Sequence, residues 1–173
     1  MVGPIDADWY CEQVEQFKPT MFRVAYAILH CEADCEDAAS SAVLRGYRYL
    51  STLQSRDGFR SWMLRILKNE CFNILYRRQL FEPMPAAGFS ALEFAKAEPM
   101  PAAEPVELQA PDIDLQRAFA RLPARARLAL TLHYYEGYSV QEIAAILGEP
   151  AGTVKSRMAR ARERLKKELE QGG

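Results

Sequence analysis

Apolar residues return every three or four positions through most of this chain and nowhere alternate with polar ones between hairpin-type turns. The pattern therefore predicts an all-α fold without a sheet. The run TMFRVAYAILH closes a first helix near His30. Asp34, with Asp37 three residues later, marks the start of a second helix that continues through AASSAVLRGYRYL. A polar loop, STLQSRDG, leads into a third, FRSWMLRILKNECFNILYRR.

On a helical wheel that third segment has two unlike faces. Phe59, Trp62, Met63, Ile66, Leu67 and Ile74 fall on one side, with Glu70 among them. Ser61, Arg65, Lys68, Asn69, Phe72 and Tyr76 gather on the other. Cations, amides and aromatic rings on one surface suit the stacking of unpaired bases and the holding of phosphates. The same periodicity also arises if Phe72 and Tyr76 pack on a neighbouring helix, and Trp62 belongs with the core.

From Phe81 to Pro111 the composition changes. This stretch holds six of the ten prolines together with much Ala and Glu, and only its middle, FSALEFAKAE, has the makings of a short helix. It is expected to be a flexible linker. The division is then a helical domain over 1–78, a linker over 79–111 and a second helical domain over 112–173.

In the second domain Pro123 stands in the first turn of RLPARARLALTLHYYEG, and Gly137 stops that helix. Ser139 and Glu142 form the sequence signature of a capping box, and Gly148 ends the helix it opens. The turn EPAG then leads to TVKSRMARARERLKKEL. A short helix, a tight turn and a longer basic helix make a helix-turn-helix. In the long helix Val154, Met158, Ala161 and Leu165 form a narrow apolar stripe, expected to pack on Ile143, Ala144 and Leu147. Lys155, Ser156, Arg157, Ala159, Arg160, Arg162, Glu163 and Lys166 lie away from it, and Arg164 completes the basic run.

Thr153–Lys167 carries seven cations against one acid, Glu163, although the chain of 173 residues has a net charge of −1. A merely solvated face mixes the two signs for support along the helix, so this excess is aimed at an anionic partner. A helix of this kind enters the major groove by its N-terminal end, with early residues on base edges and later ones on phosphates. Arg160 is placed to grip a guanine bidentately, Lys155 and Ser156 to supplement it, and Ala159 to allow close approach.

Nothing in the chain suggests catalysis: there is no Ser/His/Asp set, no paired carboxylates and no glycine-rich phosphate loop, and the only histidines are His30 and His133. Neither an export signal nor a membrane-length apolar run is visible, so the chain is expected in the cytoplasm, with Cys11, Cys31, Cys35 and Cys71 as reduced thiols. His30, Cys31 and Cys35 match no strong zinc spacing, and no metal or other cofactor is expected. A free-standing helix-turn-helix regulator is the rival reading, but no dimerisation or ligand-sensing segment accompanies the motif.

The segment YEGYSVQEIAAILGEPAGTVKSRMARARERL resembles region 4 of the extracytoplasmic-function (group 4) sigma factors of bacterial RNA polymerase. FRSWMLRILKNECFNILYRR resembles their region 2.3–2.4, with Trp62, Arg65 and Asn69 on matching positions. The resemblance implies a transcription initiation factor whose partners are core polymerase (its clamp helices and flap), promoter DNA and an anti-sigma factor. It implies that Lys155, Ser156, Arg157, Ala159, Arg160, Arg162, Arg164 and Lys166 face the −35 duplex. Arg56, Arg60, Arg65, Lys68, Asn69, Phe72, Asn73 and Tyr76 would hold the melted −10 strand. Glu36, Asp37, Ser40, Ser41, Arg45 and Arg48 would meet the polymerase, although Ser40 and Ser41 stand where the family usually carries Gln and Glu.

Overall fold

The computed structural model describes residues 4–81 and 113–172, and the expected linker, with its FSALEFAKAE helix, lies almost wholly outside them. Among the described residues the chain forms α1 (Ala7–Leu29), α2 (Glu32–Arg48), α3 (Phe59–Phe81), α4 (Ile113–Ala120), α5 (Ala124–Tyr134), α6 (Val140–Leu147) and α7 (Ala151–Gln171), and no strand.

Helix α1 begins where the Asp6 carboxylate accepts the Trp9 N–H at 2.9 Å. It ends at His30, whose φ of 49° supplies the left-handed residue that turns the chain out of the helix. Its core stripe, Tyr10, Val14, Phe17, Met21, Val24 and Ile28, keeps the helical spacing. From Val24 to Leu29, however, every residue is buried, because this end is covered on two sides. Helix α2 starts at Glu32, two residues ahead of Asp34, so that Glu32 and Asp34 both lie in its first turn against the helix dipole. It buries only small residues, Cys35, Ala38, Ala42 and Gly46, and this lets α1 and α3 approach closely. Tyr10 Oη reaches across to donate to the Val43 carbonyl at 2.7 Å.

The expected STLQSRDG loop contains two short 3-10 turns, Leu50–Thr52 and Arg56–Gly58, the second capped by the Ser55 hydroxyl. Helix α3 then begins at Phe59, which is 2 % exposed and ringed by Trp9, Tyr10, Phe17 and Trp62 with centroids 5.6–6.2 Å away. The buried stripe of α3 is rotated from the one the wheel predicts. Leu64, Cys71 and Leu75 join Phe59, Met63 and Leu67 inside, while Trp62, Ile66 and Ile74 are half-buried. The cause is that α3 meets α1 and α2 together on one flank and α6 on another. Glu70 also lies inside, 7 % exposed, where the Arg45 guanidinium of α2 pairs with it at 2.7 Å.

In the second domain α5 is the central rod, buried continuously from Ala126 to Leu132, and so without the one-sided periodicity of a surface helix. Ser139 and Glu142 make both bonds of the capping box, at 3.2 and 2.7 Å. These bonds hold the exposed Glu142 carboxyl below its ordinary range. Gly137 (φ 75°) and Gly148 (φ 67°) take the left-handed conformation at the two turns. Helix α7 starts at Ala151, two residues before the expected Thr153, after Pro150 at the cap. Val154, Met158 and Ala161 are buried with Ile143, Ala144 and Leu147, as the stripe predicts, while its fourth member, Leu165, is only half-buried.

The two domains pack directly on each other, and their buried residues form one continuous cluster. Helix α5 lies along α1, and α6 lies against α3.

Candidate nucleic-acid interface

Helix α7 is anchored by its buried stripe and by Glu149, whose carboxylate joins Arg125 at 2.6 Å and also pairs with Arg157. This bridge fixes the turn between α6 and α7. Arg157 is therefore partly committed within the domain. Arg164 pairs with Glu168 at 3.4 Å, and Arg162 donates to Tyr134 Oη at 3.3 Å. Lys155, Ser156, Ala159, Arg160 and Lys166 stand exposed on the outer side. Among the described residues, the α7 cations that face outward with neither an ion pair nor a side-chain hydrogen bond are thus Lys155, Arg160 and Lys166, with Arg160 placed between the two small residues Ser156 and Ala159 and the later turns of the helix.

On α3, Arg65, Asn69, Asn73 and Tyr76 are exposed. Lys68 and Phe72, from the same face, are half-buried under the second domain. Lys68 Nζ donates to the Leu147 carbonyl at 3.4 Å, and the Arg125 guanidinium lies 4.8 Å from the centre of the Phe72 ring. Burial first, and then the neighbouring Arg125, lowers the pKa of the Lys68 ammonium. In this arrangement Phe72 does pack on a neighbouring helix, one of the two readings its periodicity allows. Arg56 donates to the Pro4 carbonyl at 2.6 Å and lies over the Trp9 ring, and Arg60 is exposed with its guanidinium 5.8 Å from the Phe17 ring centre.

On α2, Glu36, Asp37, Ser40, Ser41 and Arg48 are exposed, and Arg45 reaches back to Glu70. Beside them Leu44 and Tyr47, 67 % and 55 % exposed, present apolar surface that the sequence reading overlooked. The signal was there in VLRGYRYL, where apolar residues fall on more than one face of the helix. A groove between α1 and α2 adjoins them, lined by Phe22, Glu36, Ser40, Val43 and Leu44 among others.

All four cysteines are free thiols. Cys35 and Cys71 are buried, and burial raises the Cys35 pKa to about 12 and pushes that of Cys71 up as well. Among the described residues no group of three or more His, Cys, Asp or Glu is placed to hold a metal ion. No described helix is long and apolar enough to cross a membrane.

This arrangement, a three-helix unit with a basic and aromatic face followed by a capped helix-turn-helix, corresponds to two known families in chain order. Residues 13–80 match the sigma-70 region 2 family and residues 112–165 the sigma-70 region 4 family. The ECF RNA polymerase sigma factor SigM of Mycobacterium tuberculosis (strain ATCC 25618 / H37Rv) is 33% identical over 145 residues, covering 84% of this chain and 69% of the relative. The chain belongs to the sigma-70 family as an ECF sigma factor. The ECF sigma factor SigW of Bacillus subtilis (strain 168) is 27% identical over 170 residues, covering 95% of this chain and 90% of that one. In fold, the ECF sigma factor is similar to RpoE of Bartonella quintana, solved in complex with the anti-sigma factor NepR. The TM-score is 0.72 at 23% identity, covering 93% of this chain and 96% of that one. It is accordingly a non-catalytic initiation factor, an alternative sigma factor that directs RNA polymerase to specific promoters.

Proposed function

We propose that this sigma factor reads its promoters in two parts, the −35 element as duplex through α7 and the −10 element as unpaired strand through α3. The observation that carries this reading is the geometry of α7, where Val154, Met158 and Ala161 are locked inside and Lys155, Ser156, Ala159 and Arg160 face out. A helix held so rigidly on one side presents its N-terminal turns to the major groove, with Arg160 on base edges and Lys166 on phosphate. Arg157, Arg162 and Arg164 flank that surface, each already held by a partner within the domain.

On the first domain, Arg65, Lys68, Asn69, Phe72, Asn73 and Tyr76 form the strand-binding face, with Arg56 and Arg60 at its entrance. Glu36, Asp37, Ser40, Ser41, Arg45 and Arg48 surround the exposed Leu44 and Tyr47 and form the surface for the polymerase clamp helices. An apolar centre with a charged rim is the usual anatomy of a protein interface. The second domain takes the polymerase flap. The functional division is 1–78, 79–111 and 112–173, and the protein works in the cytoplasm. An anti-sigma factor is a further partner, as the Bartonella quintana relative was solved with one.

Run-off transcription with core polymerase on a library of genomic fragments tests the proposal. Discrete start sites sharing two spaced elements are expected, lost from one element at a time by substitutions in α7 or α3. Tight, promoter-specific binding by the chain without core polymerase, and no transcription with it, would overturn it.

A further inference from the structure

The apolar stripe of α7 has one member left over. Leu165 is only half-buried, although Val154, Met158 and Ala161 on the same stripe are locked inside. It forms part of the wall of a cavity of about 260 Å³, bounded by the C-terminal end of α1, by α4, by the end of α5 and by α7. Tyr26, Leu115, Phe119, Leu130 and Tyr134 supply much of the remaining wall, which is mostly apolar.

The charged groups on this wall are of one sign. The described lining residues include Arg23, His30 and Arg162 and no acid. Arg23 is already committed to an ion pair with Glu136. Arg162 is exposed and makes no ion pair among the described residues; its Nη1 donates to a neutral partner, Tyr134 Oη, at 3.3 Å. Both ring nitrogens of His30 are buried without a hydrogen-bond partner, although buried polar groups are nearly always bonded. Burial, and then the charge of Arg127, lowers the His30 pKa to about 4, so at neutral pH the ring is uncharged and brings one unused N–H donor to the lining.

We propose that this cavity binds a small apolar carboxylic acid, its hydrocarbon body among Tyr26, Phe119, Leu130 and Leu165 and its carboxylate on Arg162, with the His30 ring as a second donor. Lining, size and charge each narrow the class. A mostly apolar concavity with a few polar groups is the usual form of a small-molecule site. A cavity of about 150 Å³ lined by aliphatic and aromatic side chains takes benzene, so about 260 Å³ leaves room for a ring with a short chain. The guanidinium of Arg162 selects an anion, because its planar fork matches a carboxylate and charge-assisted bonds are roughly twice as strong as neutral ones. One uncommitted guanidinium balances a monoanion, and a cationic ligand would be repelled by Arg23 and Arg162 together.

Isothermal titration calorimetry on the full chain tests the site with phenylpropionate as the probe. Phenylpropanol, which lacks the carboxylate, and acetate, which lacks the ring, are the comparisons. Wild type should bind phenylpropionate with a Kd on the order of 0.1 mM, as befits a ligand of this size. It should bind the alcohol about tenfold more weakly, the loss of one charge-assisted contact, and acetate not at all. Arg162→Gln should abolish the preference for acid over alcohol while keeping the affinity for the alcohol, which separates loss of a headgroup contact from damage to the cavity. Leu165→Trp fills the cavity and should exclude both ligands. Leu115→Trp intrudes from α4 to the same effect, and it decides if far-UV circular dichroism shows that Leu165→Trp has lost its helices. No binding of phenylpropionate to wild type, or undiminished binding in the folded tryptophan variants, overturns the site. Equal affinity of wild type for acid and alcohol, or a preference for the acid that survives Arg162→Gln, overturns the assignment of the carboxylate.

Discussion

Two arginines of the second domain show how one residue type serves opposite ends. Arg160 stands in solvent on α7 with small neighbours, and its guanidinium is available for a planar, bidentate acceptor. Arg127 is buried and spends its donors on carbonyls, and burial lowers its pKa to about 10, so it stays charged at neutral pH. Arg160→Ala should weaken recognition of the −35 element by about 1–3 kcal/mol and relax base preference at a single position. Lys166→Ala should weaken binding to every sequence alike and flatten its salt dependence. Binding titrations on a set of singly substituted duplexes at two salt concentrations separate the two, and equal loss of base preference in both variants would sink the division of α7 into base-facing and phosphate-facing turns.

At the level of elements, the first domain depends on how closely α2 approaches its neighbours. Gly46 makes that approach possible: a Cβ there would collide with Tyr10 Oη and come within 3.0 Å of Met63 Cε. Tyr10 cannot easily yield, because its hydroxyl is bonded to Val43 O and its ring is buried. Gly46→Ala therefore brings overpacking of about 1–3 kcal/mol, only partly offset by a gain of up to about 1 kcal/mol in helix propensity. A net loss of about 1–2 kcal/mol is expected. Gly152, in the first turn of α7, has nothing within 4 Å of an added Cβ. Gly152→Ala should stabilise by about 0.4–1 kcal/mol. Urea unfolding midpoints of the two variants should move in opposite directions.

For the whole molecule, the junction between domains makes stability depend on pH. His30 ends α1 in the left-handed conformation, packs its ring at a tilt of 56° against Tyr26 with centroids 5.1 Å apart, and lines a cavity of about 260 Å³ shared with Arg23, Phe119, Tyr134 and Arg162. Burial, and then the charge of Arg127, lowers its pKa from 6.5 to about 4. The unfolded chain thus binds a proton between those values that the folded one refuses, and stability falls as pH drops from about 6.5 toward about 4. His30→Asn keeps a residue that tolerates the left-handed turn and removes the titration. Thermal melting across that window should show a shallower decline in the variant. An identical pH profile in both proteins would remove His30 from the account.

By itself the sequence determined the helices and their caps, because these depend on neighbours three or four residues away: the Ser139–Glu142 box, the left-handed glycines at 137 and 148, and the α7 stripe of Val154, Met158 and Ala161 all follow from local spacing. It also gave α7 its unbalanced charge and the family its motifs. Only the tertiary structure decided which flank of α3 is buried, since α1, α2 and α6 compete for it, and only there does Glu70 acquire Arg45 as its partner. Arg127 was invisible for the same reason. Its place in α5 reads as one more basic residue, and its role exists only because carbonyls 99 and 100 residues away in the chain are brought to it. Short-range periodicity carries the information for a helix, but a buried charge is defined by what surrounds it, and those surroundings come from distant parts of the chain.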